Sequence, residues 1–155
     1  MKKPSAGLLL FRRPTPGGLE VLLVHPGGPY WKNRDDGAWS LPKGEIEDGA
    51  DALATALREF EEETGFAPPG GPHAPLGSVK TKSGKTIHAW ATEGDCDPQQ
   101  IVSNQFEIEW PPRSGKTQCF PEVDRAGFFT VDAARTKLHE AQHPFLDRLE
   151  SHCHQ

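Results

Sequence analysis

Glu59, Glu62 and Glu63 are the residues whose type and spacing most directly suggest chemistry. They fall at i, i+3 and i+4 in a run of good helix formers, so their carboxylates converge on one helical face. Like charges at that spacing repel by a few tenths of a kcal/mol per pair on an open helix. A bound divalent cation removes the conflict, and carboxylate oxygens are hard ligands suited to magnesium, manganese or calcium. The competing reading is a solvated acidic face, the usual meaning of a charge run.

The element that must carry these carboxylates lies within Gly44–Phe66. Asp48 and Asp51 stand near its start, where carboxylates suit the positive helix end. Gly65 follows the last periodic residue and can take the left-handed conformation that ends a helix. The expected helix runs from about Ala50 to Thr64. Leu53, Ala56, Leu57 and Phe60 form its apolar stripe.

The full spacing resembles the Nudix box: Gly, five residues, Glu, seven residues, then Arg-Glu-apolar-any-Glu-Glu-any-Gly-apolar. Gly44, Arg58, Glu59, Phe60, Glu62, Glu63, Gly65 and Phe66 match in register, and one defined position departs, where Ala50 replaces the first glutamate. The resemblance implies an α/β fold, a Nudix-like α/β/α sandwich with a mixed β-sheet, as one domain over residues 1–155. It implies hydrolysis of a phosphoanhydride in a nucleoside diphosphate linked to another group: a dinucleoside polyphosphate, an NTP or a nucleotide sugar. It implies Mg2+, with Mn2+ as a substitute, held by Glu59, Glu62, Glu63 and the Gly44 carbonyl. Glu62 and Arg58 would be catalytic, with Arg58 orienting Glu59. Ala50 bears on the support of Arg58 or of a second metal, and Glu47 is a partial substitute. Phe120–Phe129 resembles the late segment in which a glutamate precedes the final strand and supplies a further ligand or the catalytic base. Glu122 matches best, with Glu107 and Glu109 in reserve; the competing reading pairs Glu122 with Arg125 in a turn.

The substrate side is less specific. Tyr30, Trp31 and Trp39 crowd the loop Pro26–Pro42. Tyr30 and Trp31 are candidates to stack a nucleobase, an interaction worth ~1–3 kcal/mol per base, whereas Trp39 reads as a core anchor. Lys43 precedes the box, and its Leu-Pro-Lys-Gly context resembles the branch acting on dinucleoside polyphosphates and other highly phosphorylated compounds. Lys80 and Lys82 share one face of an expected hairpin, with Lys85 nearby, and His88 and Trp90 share a face of its second strand. Lys43, Lys80 and Lys82 are candidates for phosphates, and Trp90 for a base.

Other patterns carry less. His25 ends a strand and reads as structural. Ser-Gly-Lys-Thr occurs at 83–86 and 114–117, but the required earlier glycine is replaced by Val79 and Trp110, so both read as turns. His139-Glu140-Ala141-Gln142-His143 fits a zinc-peptidase pattern, with a third ligand available from His152, Cys153 or His154. Pro144 disfavours helix at His143, however, and little chain remains to build a cleft. A second reading, prompted by Ala50, is a weakly catalytic nucleotide sensor.

The chain has 155 residues, enough for a single mixed core. With 16 glycines and 15 prolines, much of it is loop. The 17 Lys and Arg stand against 22 Asp and Glu, a net charge of −5, which leaves no electrostatic footprint for polymeric nucleic acid or an anionic membrane. Three well-separated cysteines imply no disulfide framework, and no apolar run has membrane-spanning length. A cytoplasmic protein with a small nucleotide substrate is expected. Hairpins are expected from Ala6–Arg12 with Leu19–His25, and from Pro75–Lys82 with Lys85–Ala91. A half-buried strand is expected at Ser103–Trp110, a short helix from about Val131, and a helix over Thr136–His154.

Overall fold

The structure is a computed structural model that describes residues 2–154. Its centre is β1 (Ser5–Arg12), a nearly continuous apolar strand buried on both faces. It pairs in parallel with β5 (Thr86–Glu93) along one edge. The other edge is shared by β2 (Glu20–Pro26), which pairs with its end, and β3 (Lys43–Glu45), which pairs with its start; both run antiparallel to it. β4 (Ala74–Lys80) extends the sheet beyond β5, and β8 (Val123–Thr130) extends it beyond β2. The result is a mixed six-stranded sheet.

Strand alternation divides the core between two faces. Leu8, Leu10 and Leu22 point to the face covered by α1 (Ala52–Thr64), where Phe60 is buried among them. Leu9, Phe11, Val21 and Leu23 point to the face covered by α2 (Val131–Lys137) and α3 (His143–Cys153), through Val131, Ala134, Phe145, Leu146 and Leu149. The α/β/α layering expected from the resemblance is therefore present. Both hairpin expectations hold, and the Ser-Gly-Lys-Thr segments lie at chain reversals. Thr81 and Lys85 bond across the first, and the second joins β6 (Gln105–Glu109) to β7 (Thr117–Pro121).

The half-buried strand expected at Ser103–Trp110 is present as β6, with Phe106, Ile108 and Trp110 half-buried; it pairs with β7 in a separate hairpin outside the main sheet. Two expectations need correction. The C-terminal segment is not one helix: α2 ends at Lys137, a 3-10 turn covers Glu140–Gln142, and α3 starts at His143. Pro144 initiates rather than blocks α3, because a first-turn residue has no intrahelical use for its N–H. His139 and His143 consequently lie on different elements. The His139 ring accepts from the Ala141 amide, and the His143 ring bonds the Leu138 carbonyl, an arrangement unlike the continuous helix a zinc peptidase needs.

Candidate active site

Gly44 and α1 make the floor of the site. Asp51 caps the helix by accepting from the Ala54 amide at 2.9 Å, and Gly65 ends it with φ 80°. The apolar stripe is rotated from the expected one: Ala56 and Phe60 are buried, whereas Leu53 and Leu57 are half-buried. The buried face also takes in Thr64 and, at 8% exposure, Glu63. The three helix carboxylates thus form a gradient. Glu62 is the most open, Glu59 is mostly covered, and Glu63 faces inward against β3.

β3 supplies the opposite wall. Lys43 stands beside the Glu63 carboxyl and favours its ionised form. The Glu59 carboxyl lies directly over Gly44, where any added Cβ would collide with it. Gly44 is needed here for close approach rather than for unusual backbone angles. Gly44→Ala is expected to cost little stability, because the colliding atoms are the free end of a side chain, but to swing the Glu59 carboxyl away from Gly44 and lower turnover about tenfold or more. Denaturant unfolding and steady-state kinetics measure the two effects, and wild-type turnover in the variant would show that the contact does not constrain the site.

Arg58 reaches Glu59 at 3.3 Å through Nη2 and approaches Glu62 at 4.0 Å through Nε. Glu47 lines the same cleft but is bound to Lys3 at 2.5 Å. Ala50 is exposed, and Arg58 holds its two glutamate partners without a carboxylate at position 50.

Glu122 arrives from the other side of the cleft, between β7 and β8, and lines it with Glu59 and Glu63. Its side chain is not paired with Arg125, whose guanidinium lies 3.8 Å from Asp124. Main-chain bonds through Asn104 place Glu122: the Asn104 amide donates to the Glu62 carbonyl at 2.8 Å, and its carbonyl accepts from the Glu122 amide at 2.8 Å. Of the reserve candidates, Glu109 accepts two amides of its own turn, from Arg113 and Gly115, and Glu107 is exposed on the hairpin.

The crowding of acids shows in their ionisation. Burial above all pushes the Glu63 carboxyl up to about 8, with Glu59 and Glu122 adding to it and Lys43 opposing. Burial and then Glu62 raise Glu59, against the pull of Arg58. Burial and then Glu62 raise Glu122. Lys43 is held below its ordinary value by burial and then by Lys85, against the attraction of Glu63 and Glu59. Among the described residues no three carboxylate, imidazole or thiol groups already converge as a metal centre. Glu59, Glu63, Glu122 and the Gly44 backbone nevertheless line this cleft of about 360 Å³, with Lys43, Lys85 and Arg58 at its walls. Their carboxylate and carbonyl oxygens are the type of ligand a hard divalent cation takes, and such a cation would favour ionisation of the buried Glu63.

A second cleft of about 320 Å³ adjoins the carboxylates, and Trp31, Trp39, Lys43, Glu63 and Glu122 all line it. Trp39 is a core anchor, as expected: it is 5% exposed and its indole N–H donates to Asp35 at 2.8 Å. His25 is structural, fully buried between Asp124 and the Arg34 carbonyl. Trp31 is open to the cleft. Tyr30 is not among its walls; its ring meets Trp110 edge-on at 5.3 Å. Trp90 packs under α1 with the Leu8, Leu10 and Phe60 cluster, away from these clefts, because its strand face is turned to that helix. Lys80 and Lys82 line a third cavity together with Lys43 and Lys85. Lys85 also borders the carboxylates, a placement that nearness to Lys82 in sequence did not by itself disclose.

A family model described as "NUDIX domain" matches residues 1–149. An RNA pyrophosphohydrolase of Dinoroseobacter shibae is 63% identical over 30 residues, 19% of this chain and 19% of that protein, so the match spans about a fifth of the relative's length. A Caenorhabditis elegans Ap4A hydrolase, solved as a binary complex, superposes with a TM-score of 0.62 at 18% identity, covering 97% of this chain and 98% of that one. The NUDIX domain of Shewanella oneidensis NrtR, in complex with ADP ribose, superposes with a TM-score of 0.63 at 18% identity, covering 99% of this chain and 89% of that one. At such identities the two superpositions establish the shared fold.

Proposed function

Because this chain belongs to the NUDIX domain family, we propose that it is a divalent-metal-dependent hydrolase of phosphoanhydride bonds in a small nucleotide. The observation that carries this reading is the meeting of Glu59, Glu63 and Glu122, from two separate parts of the chain, around one cleft. Glu59, Glu62 and Glu63, with the Gly44 carbonyl, would hold Mg2+, and Mn2+ offers the same preference for oxygen. Such an ion, when bound, neutralises phosphate charge and lowers the pKa of a coordinated water.

The chain's own groups account for the remaining tasks. Arg58 keeps the Glu59 carboxylate turned toward the cleft. Glu122, with its proton affinity raised by burial and then by Glu62, is a stronger base than an exposed carboxylate and is the group to accept a proton from the attacking water. Lys43, at the junction of the clefts, meets the phosphates. Trp31 offers a stacking surface to a nucleobase in the adjoining cleft. Tyr30, standing outside that cleft, supports the hairpin side through Trp110.

Purified protein with Mg2+ and a panel of dinucleoside polyphosphates, NTPs and nucleotide sugars tests the reading. We expect phosphate-bearing products that fall by about two orders of magnitude or more in Glu62→Gln. Tight nucleotide binding without turnover of any compound would overturn the hydrolase in favour of a sensor. Turnover gained in Ala50→Glu would then trace the deficit to that position.

A further inference from the structure

The groove of about 850 Å³ beside the carboxylate cleft has a marked sign of charge. Lys43, Lys80, Lys82, Lys85 and Arg148 line it against one carboxylate, Glu140. Lys80, Lys82 and Lys85 enter no ion pair among the described residues, although acidic side chains outnumber basic ones in the chain. Lys3, Arg12, Arg58, Arg135 and Lys137, by contrast, all stand beside carboxylates. Arg148 is fixed in the wall because its Nη1 donates to the Leu76 and Ser78 carbonyls, both at 2.9 Å. The hairpin turn holds the lysines together: the Thr81 amide bonds the Lys85 carbonyl, and Thr81 Oγ1 accepts from the Lys85 amide. Self-repelling lysines gathered on a braced turn are best satisfied by an anion with several negative charges.

The groove adjoins the carboxylate cleft, and Lys43 and Lys85 line both. We propose that it is a polyphosphate subsite, and that the substrate carries phosphates beyond the diphosphate that is cleaved. The chain of phosphates passes from the carboxylates over Lys43 and Lys85 and ends at Lys80 and Lys82. This deepens the hydrolase reading and rests on it for the reaction, while anion binding by the groove can be tested separately.

The probe is inorganic tripolyphosphate, titrated calorimetrically without metal into the wild type and into Lys80→Ala/Lys82→Ala, two exposed positions whose replacement leaves the core untouched. Circular dichroism confirms that the double variant is folded. Binding is expected to weaken about tenfold in the variant and to weaken with added salt in the wild type. With Mg2+, kcat/KM for a dinucleoside tetraphosphate is expected to fall at least as far, and several times further than for ADP-ribose, which has two phosphates. Equal tripolyphosphate affinity in the two proteins overturns the subsite, even if both hydrolyse nucleotides. Lost tripolyphosphate binding with no turnover of any nucleotide by the wild type leaves the subsite standing and overturns the hydrolase. Affinity for a 5′-triphosphorylated RNA that climbs with RNA length, and that the double substitution removes, overturns the small-molecule assignment in favour of a polymer.

Discussion

Glu63→Gln is expected to fold as well as the wild type near pH 7 and to lose about 10³-fold in turnover. The two effects separate because of where Glu63 lies. At 8% exposure it is an acid whose proton is retained up to about pH 8 in the metal-free protein. Glutamine reproduces the size and polarity of that neutral acid. It cannot supply negative charge to a cation, and in phosphoryl chemistry positioned charge contributes most of the barrier reduction. Steady-state kinetics in millimolar Mg2+ measures the first effect and thermal unfolding in chelator the second. Wild-type turnover by the variant would remove Glu63 from the proposed metal set.

The metal-free protein is also expected to lose stability as pH rises from about 5 to about 8. Glu63 has an ordinary value of 4.5 and is pushed up to about 8 in the folded chain. Between those values the folded form keeps a proton that the unfolded form releases, so stability falls with rising pH and levels off above the folded value. Across each pH unit of that window the loss is at most about 1.4 kcal/mol. A net loss of a few kcal/mol, seen as roughly 5–10 °C in the unfolding midpoint, is the expected scale for a chain of this size. Mg2+ should flatten the profile, since it binds the ionised carboxylates of the folded state. Glu63→Gln should flatten it without metal. A midpoint that climbs steadily across this window in chelator would contradict the burial of an uncompensated acid.

The helix and its ends are legible in the sequence because periodicity, the Asp51 cap and Gly65 all act within a few residues of one another. The two-sided burial of β1 is legible from its unbroken apolar run. Glu63 and Glu62, by contrast, look equivalent in sequence, since both sit at helical spacing from Glu59. Only the approach of β3, a three-residue strand with no pattern of its own, makes one of them interior. Trp90 escapes sequence reasoning for a related reason. Alternation groups it with His88, but which layer that face meets is decided by α1, packed from elsewhere in the chain. Glu122 is recognisable from its position before a strand, yet its proximity to the helix carboxylates depends on a connection through residues 102–104 that has no distinctive side-chain signature.

That connection bears on how such a chain can diverge. Asn104 joins the helix to the Glu122 segment with its amide on one side and its carbonyl on the other, so its side chain is not a partner in either bond. Evolutionary drift at this position should therefore be wide, with proline the one forbidden outcome, since it lacks the N–H that meets Glu62. A residue can thus be free to vary in identity while its peptide groups remain indispensable, and a position that looked neutral across relatives would conceal a fixed point of the architecture.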